Sequence, residues 1–230
     1  MGHLLKSSLS TEYYGLGRSV RRVLFIEPDY FLVEFSSPKN KVLQATIFGD
    51  PAEHQVRETR RIARRTFSLD QPLGETYRMM SEYAPLDKLR SRFHGLRIIQ
   101  TPTIWEMAAT AIIGQQLNLA FTKKVKRRLI DYCGKRLRFE GLDYLGFPTT
   151  ETVSHLSTHT LRMMQFSRRK AEYLLEFAKA VSSGQIDEAA LRRMSDGQVF
   201  DELSQYRGIG RWTFDMVLMR ALGRPDVLPS

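Results

Sequence analysis

The sequence predicts an α+β protein: a small N-terminal antiparallel sheet domain over residues 1–85, then an all-α domain over residues 86–230 that carries a helix-hairpin-helix unit. Three observations lead there. Strand-like runs rich in Val, Ile, Phe and Tyr are confined to the first fifty residues. From about residue 85 onward, Gly and Pro divide the chain into segments of helix length. Near the C-terminus, Gly208-Ile-Gly210 separates two helix-like stretches and leaves room only for a tight turn.

The strands come first. Val20 to Ile26, Tyr30 to Ser36 and Lys41 to Phe48 are separated by Glu27-Pro-Asp29 and Ser37-Pro-Lys-Asn40, turn-forming clusters at hairpin spacing, so an antiparallel meander follows. Asp50-Pro51 supplies an N-cap and first-turn pair for a helix to about Thr66, with Val56, Ile62 and Ala63 inward. Arg57, Arg60, Arg61, Arg64 and Arg65 fall mostly on its outer side, as a solvated face or a contact for a polyanion.

The helical part begins with Thr103-Ile-Trp-Glu106, a capping-box pattern opening a helix through Ile113. Gly114-Gln-Gln-Leu-Asn118 interrupts it with a polar loop, and a second helix runs from about Leu119 to Tyr132 with Lys123, Lys124, Lys126, Arg127 and Arg128 as a basic flank. Ser167 caps a later helix whose Tyr173, Leu174, Phe177, Ala178 and Val181 form an apolar core stripe.

Composition narrows the partner. The 230 residues hold 35 Lys and Arg against 25 Asp and Glu, a net charge of +10, which favours a polyanion. The lone Cys133 excludes an intrachain disulfide framework and reads as a structural thiol. No leader segment and no apolar run of membrane-spanning length is evident, so a cytoplasmic location is expected. At the hairpin, Gly208 and Gly210 permit a sharp turn with open N–H groups, and the following helix points its positive end at the same spot. Such a unit suits a DNA phosphate, with Arg211 adding charge and Thr213 a hydroxyl, and it grips backbone without reading sequence.

Taken together, these segments resemble an alkylpurine DNA glycosylase of the 3-methyladenine DNA glycosylase II type, in the helix-hairpin-helix superfamily. The matching pieces are Arg18-Ser-Val20, Phe67-Ser-Leu-Asp70, Gly95-Leu-Arg97, Trp105-Glu106 leading to Ala111-Ile-Ile-Gly-Gln-Gln116, Ser167-Arg-Arg-Lys-Ala171 and Tyr206-Arg-Gly-Ile-Gly-Arg-Trp-Thr213. They follow the family order over nearly the whole chain. The resemblance implies a lesion cleft between helical subdomains, Gln115 and Gln116 at the DNA with Gln116 as the wedge that fills the gap left by an extruded base, and Trp212, Met216 and Tyr14 around that base. It further implies a monovalent cation held by the carbonyls of Ser204, Tyr206 and Ile209, no other cofactor, and a monomer acting on duplex DNA that contains alkylated bases.

The resemblance also implies hydrolysis rather than lyase chemistry, because Arg211-Trp-Thr-Phe-Asp-Met-Val-Leu-Met219 contains no lysine nucleophile. The family's catalytic Asp is expected about two residues beyond Ser230, so the second domain reads as incomplete and no catalytic residue is assigned. Asp226 lies too early, and Asp215 is placed to pair with Arg211 one turn away. A further departure is Arg207, where proline commonly stands. A non-catalytic DNA-binding module is the alternative reading.

Overall fold

A computed structural model describes residues 12–17, 19–39 and 42–230. Arg18 and Lys41, which belong to the predicted motifs and strands, lie outside the described residues. Four strands, β1 (Tyr14–Leu16), β2 (Ser19–Ile26), β3 (Asp29–Ser36) and β4 (Gln44–Phe48), form an antiparallel meander in chain order. Ile26 pairs with Asp29 across the two-residue Glu27-Pro28 turn, and Leu32 pairs with Phe48. The short β1 escapes the sequence reading, since Tyr-Gly-Leu is too brief to show alternation.

Alternation along β2 gives the sheet two different neighbours. Val20, Leu24 and Ile26 pack with Phe31, Val33 and Phe35 against Ile62 and Ala63 of α1 (Glu53–Thr66) and its C-cap residue Phe67. Val23 and Leu32 face the other way, onto Tyr144. The α1 N-cap is Ala52 rather than Asp50, and Gln55 Oε1 accepts the Ala52 N–H at 2.9 Å. Val56, expected inward, is exposed, while Gln55 and Thr59 are buried. Gln55 occupies the inner face because its amide also bonds the carbonyl of Ile26 at the end of β2.

Helices α2 (Gly74–Ser81) and α3 (Ala84–Arg92) follow, tied by Tyr77, whose hydroxyl accepts the Gly95 N–H. The boundary expected at residue 85 therefore falls inside α3. Pro85 does not break the chain there: it occupies the first turn of the helix, where its missing N–H costs nothing.

The main core gathers α4 (Ile104–Gly114), α5 (Leu119–Cys133), α6 (Thr150–Ser154), α7 (Thr158–Met163), α8 (Arg168–Ser182), α9 (Glu188–Leu191), α10 (Asp196–Leu203) and α11 (Arg211–Val217). The last of these widens into a π-helical turn over Leu218–Leu222. At its centre lies α4, buried at every position from Ile104 to Ile113, which explains why Glu106 and Thr110 are the only polar residues in that stretch. This part is not all-α: β5 (Arg136–Phe139) and β6 (Leu142–Leu145) form a hairpin that lies on the N-terminal sheet. Its signal is hidden because Arg136, Arg138 and Asp143 alternate with apolar residues in only four positions per strand.

The capping box at α4 is half formed. Thr103 Oγ1 accepts the Glu106 N–H, but the Glu106 carboxylate turns away to pair with Arg22 of β2 in the interior. Lys126 likewise leaves the basic flank expected of α5 and is buried beside Glu12, at 2.5 Å. Burial pushes the Cys133 thiol up to about 12, which agrees with a structural role. No helix among the described residues is long and apolar enough to cross a membrane.

Candidate nucleic-acid interface

The structure brings the C-terminus of α4 against the hairpin between α10 and α11. Gly208 takes φ of +90°, in the region that glycine reaches without strain, and Ile209 N–H donates to Tyr206 O to close the turn. Ile209 is anchored in the core. Gly210, at φ of −79° with open space where a side chain would begin, is the N-cap of α11. The N–H groups of Gly208 and Gly210 meet no acceptor among the described residues. The first-turn amides of α11 add to them, as at any helix start.

Across from the hairpin, α4 ends in a tight turn in which Leu117 N–H donates to Gly114 O. Gln116 stands in the left-handed conformation at φ of +54°, and its side chain is exposed. Gln115 behaves differently. Its Nε2 donates to Gly208 O at 2.7 Å and to Thr213 Oγ1 at 2.9 Å, fastening the loop to the hairpin. Lys170, at the start of α8, donates from Nζ to the carbonyls of both Ile113 and Gln115. A cation thus sits where α4 leaves its carbonyls unpaired. Burial pushes the Lys170 ammonium below the ordinary lysine range.

The predicted site residues therefore separate. Gly208, Gly210, Gln116, Arg211 and Trp212 stand at this surface. The Trp212 ring is partly exposed, and the tip of its indole comes within 3.9 Å of where a side chain on Gly114 would begin. Arg211 is exposed and pairs with Asp215 at 3.0 Å, the i,i+4 bridge that its spacing predicts.

Four assignments need correction. Thr213 is buried and its hydroxyl accepts from Gln115, whose half-buried side chain commits its Nε2 to the hairpin; each is turned inward by the bond it makes with the other. Met216 is enclosed in the core beside Phe214 and Val217, one turn beneath the surface. Tyr14 packs edge-on against Tyr144 at 4.9 Å and accepts the Leu145 N–H, which makes it part of the joint between the two sheets. At the hairpin, the carbonyls of Ser204 and Ile209 accept no hydrogen bond among the described residues, and Tyr206 O accepts one. Arg207 faces α8, paired with Glu176 at 2.8 Å.

Lys170 belongs to the Ser167–Ala171 motif, but the sequence assigns it no role. The signal for one is its place at the third position of a helix, where a positive charge opposes the dipole unless another element uses it.

Residues 109–229 match the sequence pattern of the HhH-GPD superfamily base excision DNA repair proteins, just over half of the chain. The chain belongs to this superfamily. A DNA-3-methyladenine glycosylase of Bacillus subtilis (strain 168) is 30% identical over 233 residues, covering 100% of this chain and 77% of the relative. A 3-methyladenine DNA-glycosylase from Archaeoglobus fulgidus superposes with a TM-score of 0.84 at 27% identity, covering 100% of this chain and 76% of that one. The fold extends further. A Clostridium acetobutylicum 8-oxoguanine glycosylase/lyase superposes with a TM-score of 0.73 at 17% identity, over 96% of this chain and 72% of that one. The matched range takes in both the Gly208–Gly210 turn and the α4–α5 loop.

Proposed function

We propose that this protein is a monofunctional DNA glycosylase that extrudes an alkylated purine such as 3-methyladenine from duplex DNA and hydrolyses its N-glycosidic bond. The single observation that carries this reading is the meeting of an exposed left-handed Gln116 with the open amides of the Gly208–Gly210 hairpin across one surface. Extrusion needs both parts. The hairpin amides hold a backbone phosphate in place, and a side chain enters the stack where the base has left.

Trp212 supports the choice of base. Methylation at a ring nitrogen makes the purine cationic, and an indole face gains about 0.5–2 kcal/mol from such a charge over a neutral base. The same cationic base is already a good leaving group. No lysine stands in Arg211–Val217 to form a Schiff base, which supports water as the acceptor of the sugar. Asp215 is fully buried, pairs with Arg211 and accepts from the N–H and hydroxyl of Ser230, so it serves the structure around the hairpin and not the sugar. The carbonyls of Ser204, Tyr206 and Ile209 supply oxygen ligands of the kind a monovalent cation takes, and such an ion would add positive charge beside the phosphate. A monomer acting on DNA in the cytoplasm completes the reading.

Release of 3-methyladenine from methylated duplex DNA tests the proposal. Gln116→Ala is expected to keep general duplex affinity and lose base extrusion, reported by a fluorescent base analogue beside the lesion. Trp212→Ala is expected to reduce preference for the alkylated base by about tenfold, equivalent to about 1.4 kcal/mol of cation–π attraction. Lesion binding without release of any base would overturn the enzymatic reading.

A further inference from the structure

We propose that Lys170 is a positioning residue that holds the Gln116 loop in its base-displacing shape from the α8 side. This inference rests on the function proposed above. The geometry is specific. Lys170 Nζ bonds Ile113 O at 2.8 Å and also Gln115 O, two acceptors on either side of Gly114, so one ammonium fixes the last turn of α4 and the residue directly before Gln116. Gln115 then hands the constraint to the hairpin through Gly208 O and Thr213 Oγ1.

Three elements are thereby locked around one loop: α4 by its own end, α8 through Lys170, and the hairpin through Gln115. Gln116 needs that lock because a non-glycine residue at φ of +54° is held in a sparsely populated conformation. A loop free to relax would leave that conformation, and the side chain would no longer point where the stack opens. Neighbouring Arg168 and Arg169 do not duplicate the role. Arg168 pairs with Glu172 on its own helix, and both arginines are exposed.

Lys170→Met keeps most of the side-chain stem and removes the charge, and Lys170→Arg restores a cation. On a duplex in which the alkylated purine is paired, Lys170→Met is expected to extrude the base about tenfold more slowly, with affinity for undamaged duplex within about twofold of the parent. The defect should shrink to less than about threefold when the lesion sits unpaired in a bulge, where little stacking has to be broken. Lys170→Arg should recover at least part of the loss.

An equal loss on paired and bulged lesions, or none on either, would overturn the proposal. So would an arginine variant as impaired as the methionine one. Amide hydrogen exchange at residues 115–117 gives a readout that needs no lesion: Lys170→Met should raise it about tenfold while the core amides of α4 stay protected. If the parent chain neither flips nor releases any base, the proposed function fails, and the exchange measurement still decides whether Lys170 holds the loop.

Discussion

The two hairpin glycines are alike in sequence and unlike in structure. Gly208 combines φ of +90° with a neighbour that leaves no room, since a Cβ there would lie 2.7 Å from Cδ2 of Tyr173. Gly210 has neither constraint. Gly208→Ala is therefore expected to cost at least about 1–2 kcal/mol from backbone conformation alone, with the Tyr173 clash added to it. Gly210→Ala should stay within about 0.5 kcal/mol of the parent in stability. Its methyl group would still crowd a phosphate approaching the amides, so DNA affinity should fall in both variants while only the first melts earlier. Thermal denaturation beside a duplex-binding titration separates the two. At this scale the sequence is legible where backbone chemistry speaks, as at Gly-Ile-Gly, and opaque where a side chain chooses between neighbours. Nothing in Gln115-Gln116 says that the first turns inward to Gly208 and the second outward. That division comes from the left-handed step at Gln116, which depends on how α4 meets the hairpin.

Two arginine- and lysine-rich helices look equivalent in the sequence, and their surroundings make them different. On α1, Arg57 pairs with Glu53, Arg61 and Arg65 with Glu58, and Arg64 with Asp70, so most of the apparent charge is answered locally. On α5, Arg127 pairs with Asp131, whereas Lys123 and Lys124 have no carboxylate partner among the described residues, and the helix begins directly after the Gln116 loop. Neutralising Lys123 and Lys124 together is expected to lower the slope of log affinity against log salt by up to about 1.8, close to 0.9 for each phosphate that is no longer neutralised. Neutralising Arg57 and Arg61 should leave the slope unchanged. A slope that follows the α1 charges would move the DNA track to the N-terminal face. Element by element, the long periodic segments are readable because burial on one face imposes a period. The short β5–β6 hairpin and the buried Lys126 are not, because each is decided by a partner more than a hundred residues away in the chain.

The whole molecule is joined by charges that a sequence reader places at the surface. Arg21 of β2 bridges the two sheets, pairing with Glu34 and Glu140 over the rings of Phe48 and Phe139. Deeper, Arg22 and Glu106 link β2 to α4, and Glu12 and Lys126 link the start of the sheet to α5. Burial opposes the charge on Glu12, but Lys126 and Arg22 outweigh it and hold the carboxyl below its ordinary value of 4.5. Glu106 goes the other way: burial, only partly offset by Arg22, pushes it up. The signs for stability are then opposite. A carboxyl lowered on folding contributes stability that is complete above 4.5 and lost as the pH falls through the folded value. A raised one favours the fold at low pH and weakens it as the pH climbs past 4.5. The parent protein sums the two, so its acid limb alone assigns neither. Glu12→Gln isolates one. It removes the carboxylate against which Lys126 is buried and should cost about 3–5 kcal/mol near neutral pH. In urea titrations from pH 7 down to pH 3, the gap between parent and variant should stay constant to about 4.5 and then narrow as Glu12 takes up its proton. Adding Lys126→Met should recover most of the loss at neutral pH, because an apolar pair of similar volume replaces a buried ion pair at little cost. A gap that does not change with pH would show that packing, and not the carboxylate, ties the sheet to α5.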